Sequence, residues 1–285
     1  MTPSAQSVLV TGASSGLGQA TAHRARDEGW RVFGTARAEA DLARLAEEGL
    51  EPVPLELCDP RSVEAAVQTV LSQTDGHLHA LVNNAGYSQI GAVEDVTRDE
   101  LREQFETNVF GTMDLTNRLL PTFLERGAGT VVFISSVCAR VPVPYLGSYS
   151  ASKAALEALV DSLRRELRGS GVGLHLVEPG IFNTGCYART TRHFENVSRS
   201  KTSRHAERCR GALRQFEEEL RGLPASRNGL VAEAVLDYLS GKRRSARRVV
   251  PGPARIYEVA RRLLPDSLLD RALLRRRGGS HKGGG

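Results

Sequence analysis

The segment SVLVTGASSGLG, residues 7–18, decides the fold because an apolar run ends there in a glycine-rich turn. Its β-branched beginning predicts a strand, and the residues after Gly18 predict a helix. Glycine at such a turn lets backbone N–H groups approach a ligand closely, and the helix N-terminus adds its positive dipole end. We therefore expect a dinucleotide pyrophosphate to bind here. The residues assigned to it are Gly12, Ser14, Ser15, Gly16, Leu17 and Gly18.

The same turn has two other interpretations. Glycine also serves in tight connections that need only a positive φ angle and bind nothing. Residues 12–16 also match G-x-S-x-G, the nucleophile elbow of serine hydrolases, which needs a later histidine such as His175, His193 or His205. The elbow normally follows several strands, whereas this turn follows the first one. Dinucleotide binding is therefore the preferred interpretation.

The composition is that of an ordinary globular protein. Of 285 residues, 40% are hydrophobic and 25% charged, which excludes a wholly disordered chain, collagen and a small disulfide-rich domain. No apolar run approaches the roughly 20 residues of a bilayer span, and the N-terminus does not resemble a signal peptide. Four scattered cysteines predict reduced thiols and no metal site. We expect a cytoplasmic protein.

The positive charge is concentrated at the C-terminus. The chain carries +5 in total, but residues 241–285 hold 13 Lys and Arg and 3 Asp and Glu, or +10, which leaves −5 for residues 1–240. We therefore expect no nucleic-acid binding by the main domain. The basic segment is interpreted first as a solvated amphipathic helix. Peripheral contact with an anionic membrane and nucleic-acid contact are its alternatives.

Short β-branched runs alternate with helical patterns along the chain, which predicts βαβ units. We expect an α/β fold: a Rossmann-type, doubly wound sheet of about seven parallel strands with helices on both faces. The clearest helix, 147–168, carries an apolar stripe of Leu156, Leu159, Leu163 and Leu167. The candidate strands are Ser7–Thr11, Arg31–Ala36, Pro52–Leu57, Ala80–Asn83, Thr130–Ser135, Gly173–Glu178 and Arg248–Val250.

The pattern divides the chain into one domain and a tail. The domain covers residues 5–250, and the polar stretch at about 185–225 breaks its rhythm where loops that cover ligands are often found. We interpret that stretch as a lid. A basic helical extension, 251–275, and a flexible tail, 276–285, follow.

Four further motifs occur in the order that one fold requires. Asn83-Asn84-Ala85-Gly86 ends the fourth candidate strand, Asn108 lies in TNVFG, Ser136 follows the fifth strand, and Tyr149 and Lys153 form a YxxxK motif. With TGxxxGxG, these motifs resemble the short-chain dehydrogenase/reductase family over roughly residues 5–250. The resemblance implies hydride transfer between a nicotinamide cofactor and a carbonyl or alcohol.

The motif residues suit acid–base chemistry. Tyr149 and Lys153 share a helix face, so the ammonium can lie near the phenol. A free tyrosine has a pKa near 10, and an effective acid or base near neutrality needs a shift of about three units, or roughly 4 kcal/mol, which a positive charge favours. Ser136 is predicted to hold the substrate oxygen. The resemblance implies that Lys153 also binds the nicotinamide ribose and that Asn108 supports a proton-relaying water chain.

The end of the second strand predicts the choice of cofactor. An acidic residue there would bind the ribose of NAD(H), whereas this chain has Arg37. A guanidinium suits a 2′-phosphate, and Ser14 and Ser15 can assist it, so NADP(H) is preferred over NAD(H). The alternative is a solvated Arg37 with Glu39 in the acidic role.

Other cofactor contacts follow from the resemblance. The NNAG residues are assigned to the cofactor, and the PGxxxT pattern meets the nicotinamide carboxamide. Beside the adenine, Glu56 stands where the family usually has Asp. The residues assigned in this way are Glu56, Leu57, Asn84, Ala85, Gly86, Pro179, Gly180, Ile181 and Thr184.

The predicted substrate wall is apolar and therefore favours a lipophilic carbonyl or alcohol. The chain is most similar to the hydroxysteroid and retinol dehydrogenase branch and its bacterial aldehyde-reductase relatives. A homodimer through helices 99–125 and 147–168 is implied by resemblance alone. The competing class is a cofactor-binding sensor without turnover. The predicted wall residues are Tyr87, Val137, Val143, Tyr145, Phe182 and Tyr187.

Overall fold

The computed structural model describes residues 6–182 and 202–277, and its centre is one seven-stranded parallel sheet. The strand order is β3-β2-β1-β4-β5-β6-β7, so the predicted α/β fold is confirmed. The strands are β1 Ser7–Val10, β2 Arg31–Ala36, β3 Glu51–Pro54, β4 Ala80–Asn83, β5 Gly129–Ile134, β6 Val172–Pro179 and β7 Arg247–Val250.

Ten helices of the described ranges accompany the sheet. Short 3₁₀ turns and a π-helical turn, Glu106–Gly111, connect some of them. The helices are α1 Gly16–Asp27, α2 Glu39–Glu47, α3 Pro60–Gln73, α4 Arg98–Phe105, α5 Thr112–Arg126, α6 Gly147–Glu166, α7 Ala206–Arg221, α8 Gly229–Leu239, α9 Arg255–Leu263 and α10 Asp266–Arg277.

Both faces of the sheet are buried, which explains why the strands are apolar throughout. Val8 and Val10 point to the layer of α1 and α8, whereas Leu9 between them points to the layer of α3, α5 and α6. The chain leaves β1 towards β2 on one side and returns to β4 on the other. Ligands of open α/β sheets bind at the carboxyl ends of the strands where the order reverses in this way.

Two sequence predictions are corrected by the fold. Strand β3 ends at Pro54 and not at Leu57, because after a last sheet bond from the Leu55 amide the Glu56 amide turns to the Ser62 hydroxyl, 2.9 Å away. In α6, Leu159 is exposed and does not belong to the buried stripe. The buried stripe instead runs through Lys153, Leu156, Glu157 and Val160.

The other predicted strands agree with the structure to within one residue at each end.

Part of the predicted lid is helical. Helix α7 buries Cys209 and Leu213 against Ile90, and burial raises the pKa of the Cys209 thiol to about 11. Residues 183–201 lie outside the described ranges, so a lid over 185–225 stays a prediction. The extension forms α9 and α10, which continues to Arg277. Within the described ranges, none of the helices combines the length and apolar character needed to cross a bilayer.

Candidate active site

The glycine-rich turn between β1 and α1 requires its glycines. Gly12 and Gly16 have φ angles of 65° and 60°, in the left-handed region that favours glycine. A Cβ on Gly18 would collide with the carbonyl oxygen of Gly12 and the side-chain amide of Asn84. The turn is held by β2, since the Gly12 amide donates to the Thr35 hydroxyl over 3.0 Å. The backbone is thus fixed in the compact form that a phosphate site needs.

A clamp joins this turn to the NNAG segment. The Thr11 hydroxyl accepts hydrogen bonds from the amides of Asn84 and Ala85, both 2.9 Å long. The Asn84 side chain donates in return to the carbonyl oxygen of Thr11 over 2.8 Å and to that of Gly12 over 3.3 Å. Sequence reasoning missed Thr11 and Thr35. The threonine directly before the glycine turn was the available signal for Thr11.

Tyr149 and Lys153 lie one turn apart on α6, as the spacing predicts. The Lys153 ammonium is 6.0 Å from the centre of the Tyr149 ring. Lys153 is 5% exposed, and its ammonium donates to the Ile134 carbonyl oxygen over 2.8 Å. The end of β5 thereby fixes a buried positive charge beside the phenol.

Asn108 lies in the π-helical turn and is buried behind the cavity wall. Its side-chain amide donates to the Tyr87 carbonyl oxygen over 2.9 Å and to the Ser152 hydroxyl over 3.1 Å, and its oxygen accepts from the Tyr87 amide. Ser152 donates to the Tyr149 carbonyl oxygen over 2.8 Å. Asn108 therefore connects the segment after NNAG to the first turns of α6. A Cβ on Gly86 would lie 3.0 Å from the Asn108 oxygen and 3.7 Å from the Lys153 nitrogen.

Ser136 follows β5 and is buried at the cavity wall. Its hydroxyl oxygen accepts from the Cys138 amide over 3.1 Å, so it also caps the turn Val137–Ala139. The neighbouring Ser135 donates to Glu157 over 2.7 Å. Capping orients the Ser136 side chain, and its hydroxyl proton can still be donated to a ligand oxygen.

A partly buried group that we call the acid–arginine cluster supports this region: Arg140, Glu157, Asp161, Glu178 and Arg247. Arg247 binds Glu157 at 2.6 Å, Glu178 at 2.7 Å and Asp161 at 2.6 Å. Arg140 binds Glu157 at 3.3 Å and Glu178 at 3.4 Å. Burial alone would raise the pKa of Asp161, but the hydrogen bond and charge of Arg247 outweigh it and lower that pKa. The cluster ties α6 to β6, to β7 and to the turn after Ser136.

One cavity of about 1220 Å³ brings most predicted site residues together. It extends from the glycine turn to α6. The predicted residues that line it are Gly12, Ser14, Ser15, Gly16, Leu17, Arg37, Glu56, Leu57, Asn84, Ala85, Gly86, Tyr87, Ser136, Val137, Val143, Tyr149, Lys153, Pro179, Gly180, Ile181 and Phe182.

Other predicted site residues lie elsewhere. Gly18 and Asn108 are buried beneath the cavity surface and support it. Tyr145 is not brought to the wall, because its side chain packs on the cluster of Ile90, Cys209 and Leu213. Thr184 and Tyr187 lie outside the described residues.

The cavity also has a wall whose residues the sequence did not single out, although the predicted lid contains the part from α7. It comes from α7, α9 and α10, and Arg227 lies with its guanidinium 5.5 Å from the Phe182 ring. The sequence signal that could have revealed the C-terminal part of this wall was the set of apolar residues spaced through the arginine-rich stretch 251–277. Tyr87, also in the wall, has its pKa raised to about 12, mainly by burial, so it is a neutral phenol at physiological pH. The additional apolar wall residues are Phe216, Leu220, Leu223, Ile256 and Leu273.

At the end of the cavity that contains the glycine turn, Arg37 faces Glu56. The two charged groups are 3.4 Å apart and largely exposed. Glu56 also accepts from the Cys58 amide over 3.2 Å. The guanidinium therefore lies at the ends of β2 and β3, next to the glycine turn. In the parts of the chain that the structure describes, no set of three His, Cys, Asp or Glu side chains is placed to hold a metal ion.

The two described candidate histidines do not support the serine-hydrolase interpretation. His175 bonds to the Ser245 carbonyl oxygen at 2.9 Å and stacks on Tyr238, and His205 pairs with Glu94 at 2.9 Å. Neither histidine lines the cavity at which Ser14 lies. His193 lies outside the described residues.

Comparisons with known proteins agree with this geometry. Residues 6–194 match the short chain dehydrogenase family. The chain is 35% identical over 272 residues to the uncharacterized oxidoreductase YbbO of Escherichia coli K12, covering 94% of both proteins. It is 32% identical to the NADPH-dependent 3-dehydrocapnine reductase of Ornithobacterium rhinotracheale, covering 92% of this chain and 94% of that one.

A solved structure shows the same relationship. A short-chain dehydrogenase from Streptomyces avermitilis superposes with a TM-score of 0.76 at 32% identity, covering 98% of this chain and all of the other. The predicted family and enzyme class are confirmed: the chain belongs to the short-chain dehydrogenase/reductase family of oxidoreductases.

Proposed function

We propose that the protein interconverts a hydrophobic ketone or aldehyde and its alcohol with NADP(H) as cofactor. One observation carries the proposal: the glycine turn and the set Ser136, Tyr149 and Lys153 line the same cavity. The turn provides the phosphate site, and the set provides an acid–base site at the other end.

The residues present fit a dinucleotide. The missing side chain at Gly18 lets α1 pack tightly against the Gly12 carbonyl, in the compact strand-to-helix turn that a pyrophosphate site needs. The phosphates would be held by residues 12–18, the adenine beside Leu57 and the nicotinamide ribose by Lys153. When bound, the cofactor supplies or accepts the hydride.

The chain's own residues handle the proton. The Ser136 hydroxyl donates a hydrogen bond to the substrate oxygen, and Tyr149 gives that oxygen its proton in the direction of reduction. Lys153 favours the phenolate that remains, because its ammonium is held in a buried position near the ring. In the direction of oxidation, the phenolate takes the alcohol proton.

Arg37 supports NADP(H) over NAD(H). Its guanidinium lies at the end of β2, where it can form paired, charge-assisted hydrogen bonds with a 2′-phosphate. The ion pair between Glu56 and Arg37 is long, at 3.4 Å, and exposed to solvent. A phosphate can therefore easily replace Glu56 as the partner of Arg37. The NADPH-dependent relative named above supports the same choice.

The cavity walls support a lipophilic substrate. Val137, Val141, Val143 and Leu146 line the side next to Ser136, and α7 adds further apolar side chains. Such a wall favours a large apolar carbonyl compound over a sugar or an anionic metabolite.

Tyr149→Phe tests the proposal. NADPH oxidation is followed with a panel of steroids, retinal and long-chain aldehydes, and NADPH binding is followed by fluorescence. We expect the variant to lose about 10²–10⁴-fold in turnover, the usual contribution of a positioned acid, and to keep its NADPH affinity. Equal turnover by the variant contradicts the mechanism. NADPH binding without turnover of any substrate by the natural protein supports the sensor alternative.

A further inference from the structure

The C-terminal helices carry an exposed apolar face. Ile256, Val259 and Leu263 are 67%, 51% and 75% exposed, and their spacing places them on one side of α9. Leu264 and Leu268 extend this surface towards α10 at 39% and 46% exposed. We call these five residues the C-terminal face. Side chains this apolar are normally exposed singly, so a contiguous group indicates a contact surface.

The surroundings of the C-terminal face are basic. Arg255, Arg261 and Arg262 project from α9 into solvent. The segment that contains both helices, 251–285, holds 8 Lys and Arg and 3 Asp and Glu, or +5, whereas the rest of the chain has no net charge. An amphipathic helix with arginines beside an apolar stripe suits the boundary between the headgroups and acyl chains of a membrane.

The C-terminal face continues into the cavity. Ile256 is both exposed and part of the cavity lining, and Leu273 of α10 lines the cavity on the same side. Phe216 and Leu223 join them from the segment of α7. An apolar path therefore leads from this surface towards the proposed active site.

We infer that the C-terminal face docks on an anionic lipid surface and that lipophilic substrates enter the cavity from it; the entry route rests on the proposed function. A lipid surface meets both properties of the face, since acyl chains accept the apolar residues and anionic headgroups attract the arginines. A second copy of the chain would instead bring an equally basic face against this one, and like charges repel.

Vesicle binding tests the docking. The full chain is pelleted with phosphatidylcholine vesicles and with vesicles in which phosphatidylglycerol replaces one third of that lipid. We expect binding to the anionic vesicles that weakens with salt. Val259→Ser/Leu263→Ser/Leu268→Ser should lose it, and Arg255→Gln/Arg262→Gln should weaken it about thirtyfold, the factor that corresponds to two headgroup attractions. Leu230→Ser, at an exposed leucine of α8 outside the cavity lining and outside the two helices of the predicted dimer, is the matched control and should bind normally.

The readouts separate docking from catalysis. The apolar variant should still reduce a water-soluble aldehyde, because its three substitutions lie outside the cavity lining. Absence of anionic-vesicle binding by the natural protein, or unchanged binding by both variants, overturns the inference. A dimer in light scattering that the apolar variant converts to a monomer assigns the face to a second copy and also overturns it. Vesicle binding by a protein that reduces nothing keeps the docking and removes the entry route.

Discussion

At the scale of single residues, the Arg37 side chain is the one that should determine the choice of cofactor. Its guanidinium lies at the end of β2, where in the described part of the chain it pairs with the exposed carboxylate of Glu56. Charged hydrogen bonds contribute about 1.5–3 kcal/mol each. The identity of this residue should therefore decide how strongly a 2′-phosphate is recognised.

Arg37→Asp should raise the KM for NADPH by roughly ten- to hundredfold, the factor that corresponds to one such bond, and leave the KM for NADH unchanged or lower. Steady-state kinetics with both cofactors measure this. Arg61→Asp is the control, since Arg61 is exposed on α3 away from the cavity. Equal losses with NADPH and NADH would remove Arg37 from phosphate recognition.

At Gly18, one added carbon atom should disturb the glycine turn. Gly18→Ala places a methyl group against the Gly12 carbonyl and the Asn84 amide, so the turn must shift at a cost of about 1–3 kcal/mol. We expect weaker NADPH binding in a fluorescence titration and a lower free energy of unfolding in urea.

The control for Gly18 is Gly211→Ala. A Cβ on Gly211 in α7 meets nothing within 4 Å, so alanine should stabilise the helix by about 0.5–1 kcal/mol and leave NADPH affinity unchanged. A Gly18→Ala protein with normal NADPH affinity would show that the turn tolerates the shift and that its tight packing is unrelated to binding.

At the scale of helices and strands, the sequence predicts what depends on local pattern. The strand runs, the glycine turn and the YxxxK helix follow from alternation, φ preference and i, i+4 spacing. Leu159 shows the limit: a leucine at helical spacing is exposed, whereas Glu157 is buried. The reason is a partner 90 residues away, Arg247, whose approach no local pattern contains.

The site divides in the same way. The glycine turn and the YxxxK pair were predictable from spacing within one segment, whereas Asn108 and Ser136 were assigned through the family resemblance. Thr35, which fixes the glycine turn from β2, and Phe216, which lines the cavity from α7, were not predicted, because their roles arise from packing between distant elements.

The acid–arginine cluster should dominate the stability of the elements that it joins. Arg247→Leu leaves the buried carboxylates of Glu157 and Glu178 with less compensating charge, and breaking such buried pairs costs about 3–5 kcal/mol. Urea unfolding measures the loss.

Arg165→Leu is the matched control for the cluster. It also faces Asp161, at 3.9 Å, but is 67% exposed, and surface pairs contribute at most about 1 kcal/mol. Similar losses for the two variants would show that burial does not distinguish these pairs.

His175 makes the stability of β6 depend on pH. Burial lowers its pKa, against the opposing hydrogen bond from Nδ1–H to the Ser245 carbonyl oxygen. The folded state thus favours the neutral ring, and the unfolded state binds a proton first as pH falls. The stabilisation is complete above pH 6.5, the ordinary pKa of histidine, and is lost progressively below it.

The measurement is urea unfolding at pH 7.5 and pH 5.5. The natural protein should be less stable at the lower pH, and His175→Phe, which keeps a ring on Tyr238, should reduce that difference. A pH dependence identical in both proteins would assign it to other groups.

At the scale of the whole molecule, charge and shape are divided between two regions. The sheet domain, residues 5–250, has no net charge and holds the proposed catalytic groups, whereas residues 251–285 carry +5 and include one wall of the same cavity. Truncation after residue 250 would therefore remove lining as well as charge. Activity and lipid contact are consequently separable only by substitutions outside the lining, such as Leu263.

The clamp between Thr11 and Asn84 has a consequence for how ligands come and go. Reciprocal hydrogen bonds join chain segments more than 70 residues apart, so the glycine turn and the NNAG segment form one rigid unit. Any widening that admits or releases a bulky molecule must then occur elsewhere in the cavity wall, to which α7, α9 and α10 contribute. Mutations in α7, α9 and α10 should change the rates of ligand entry and release, and mutations in the rigid unit should change the ligand affinity itself.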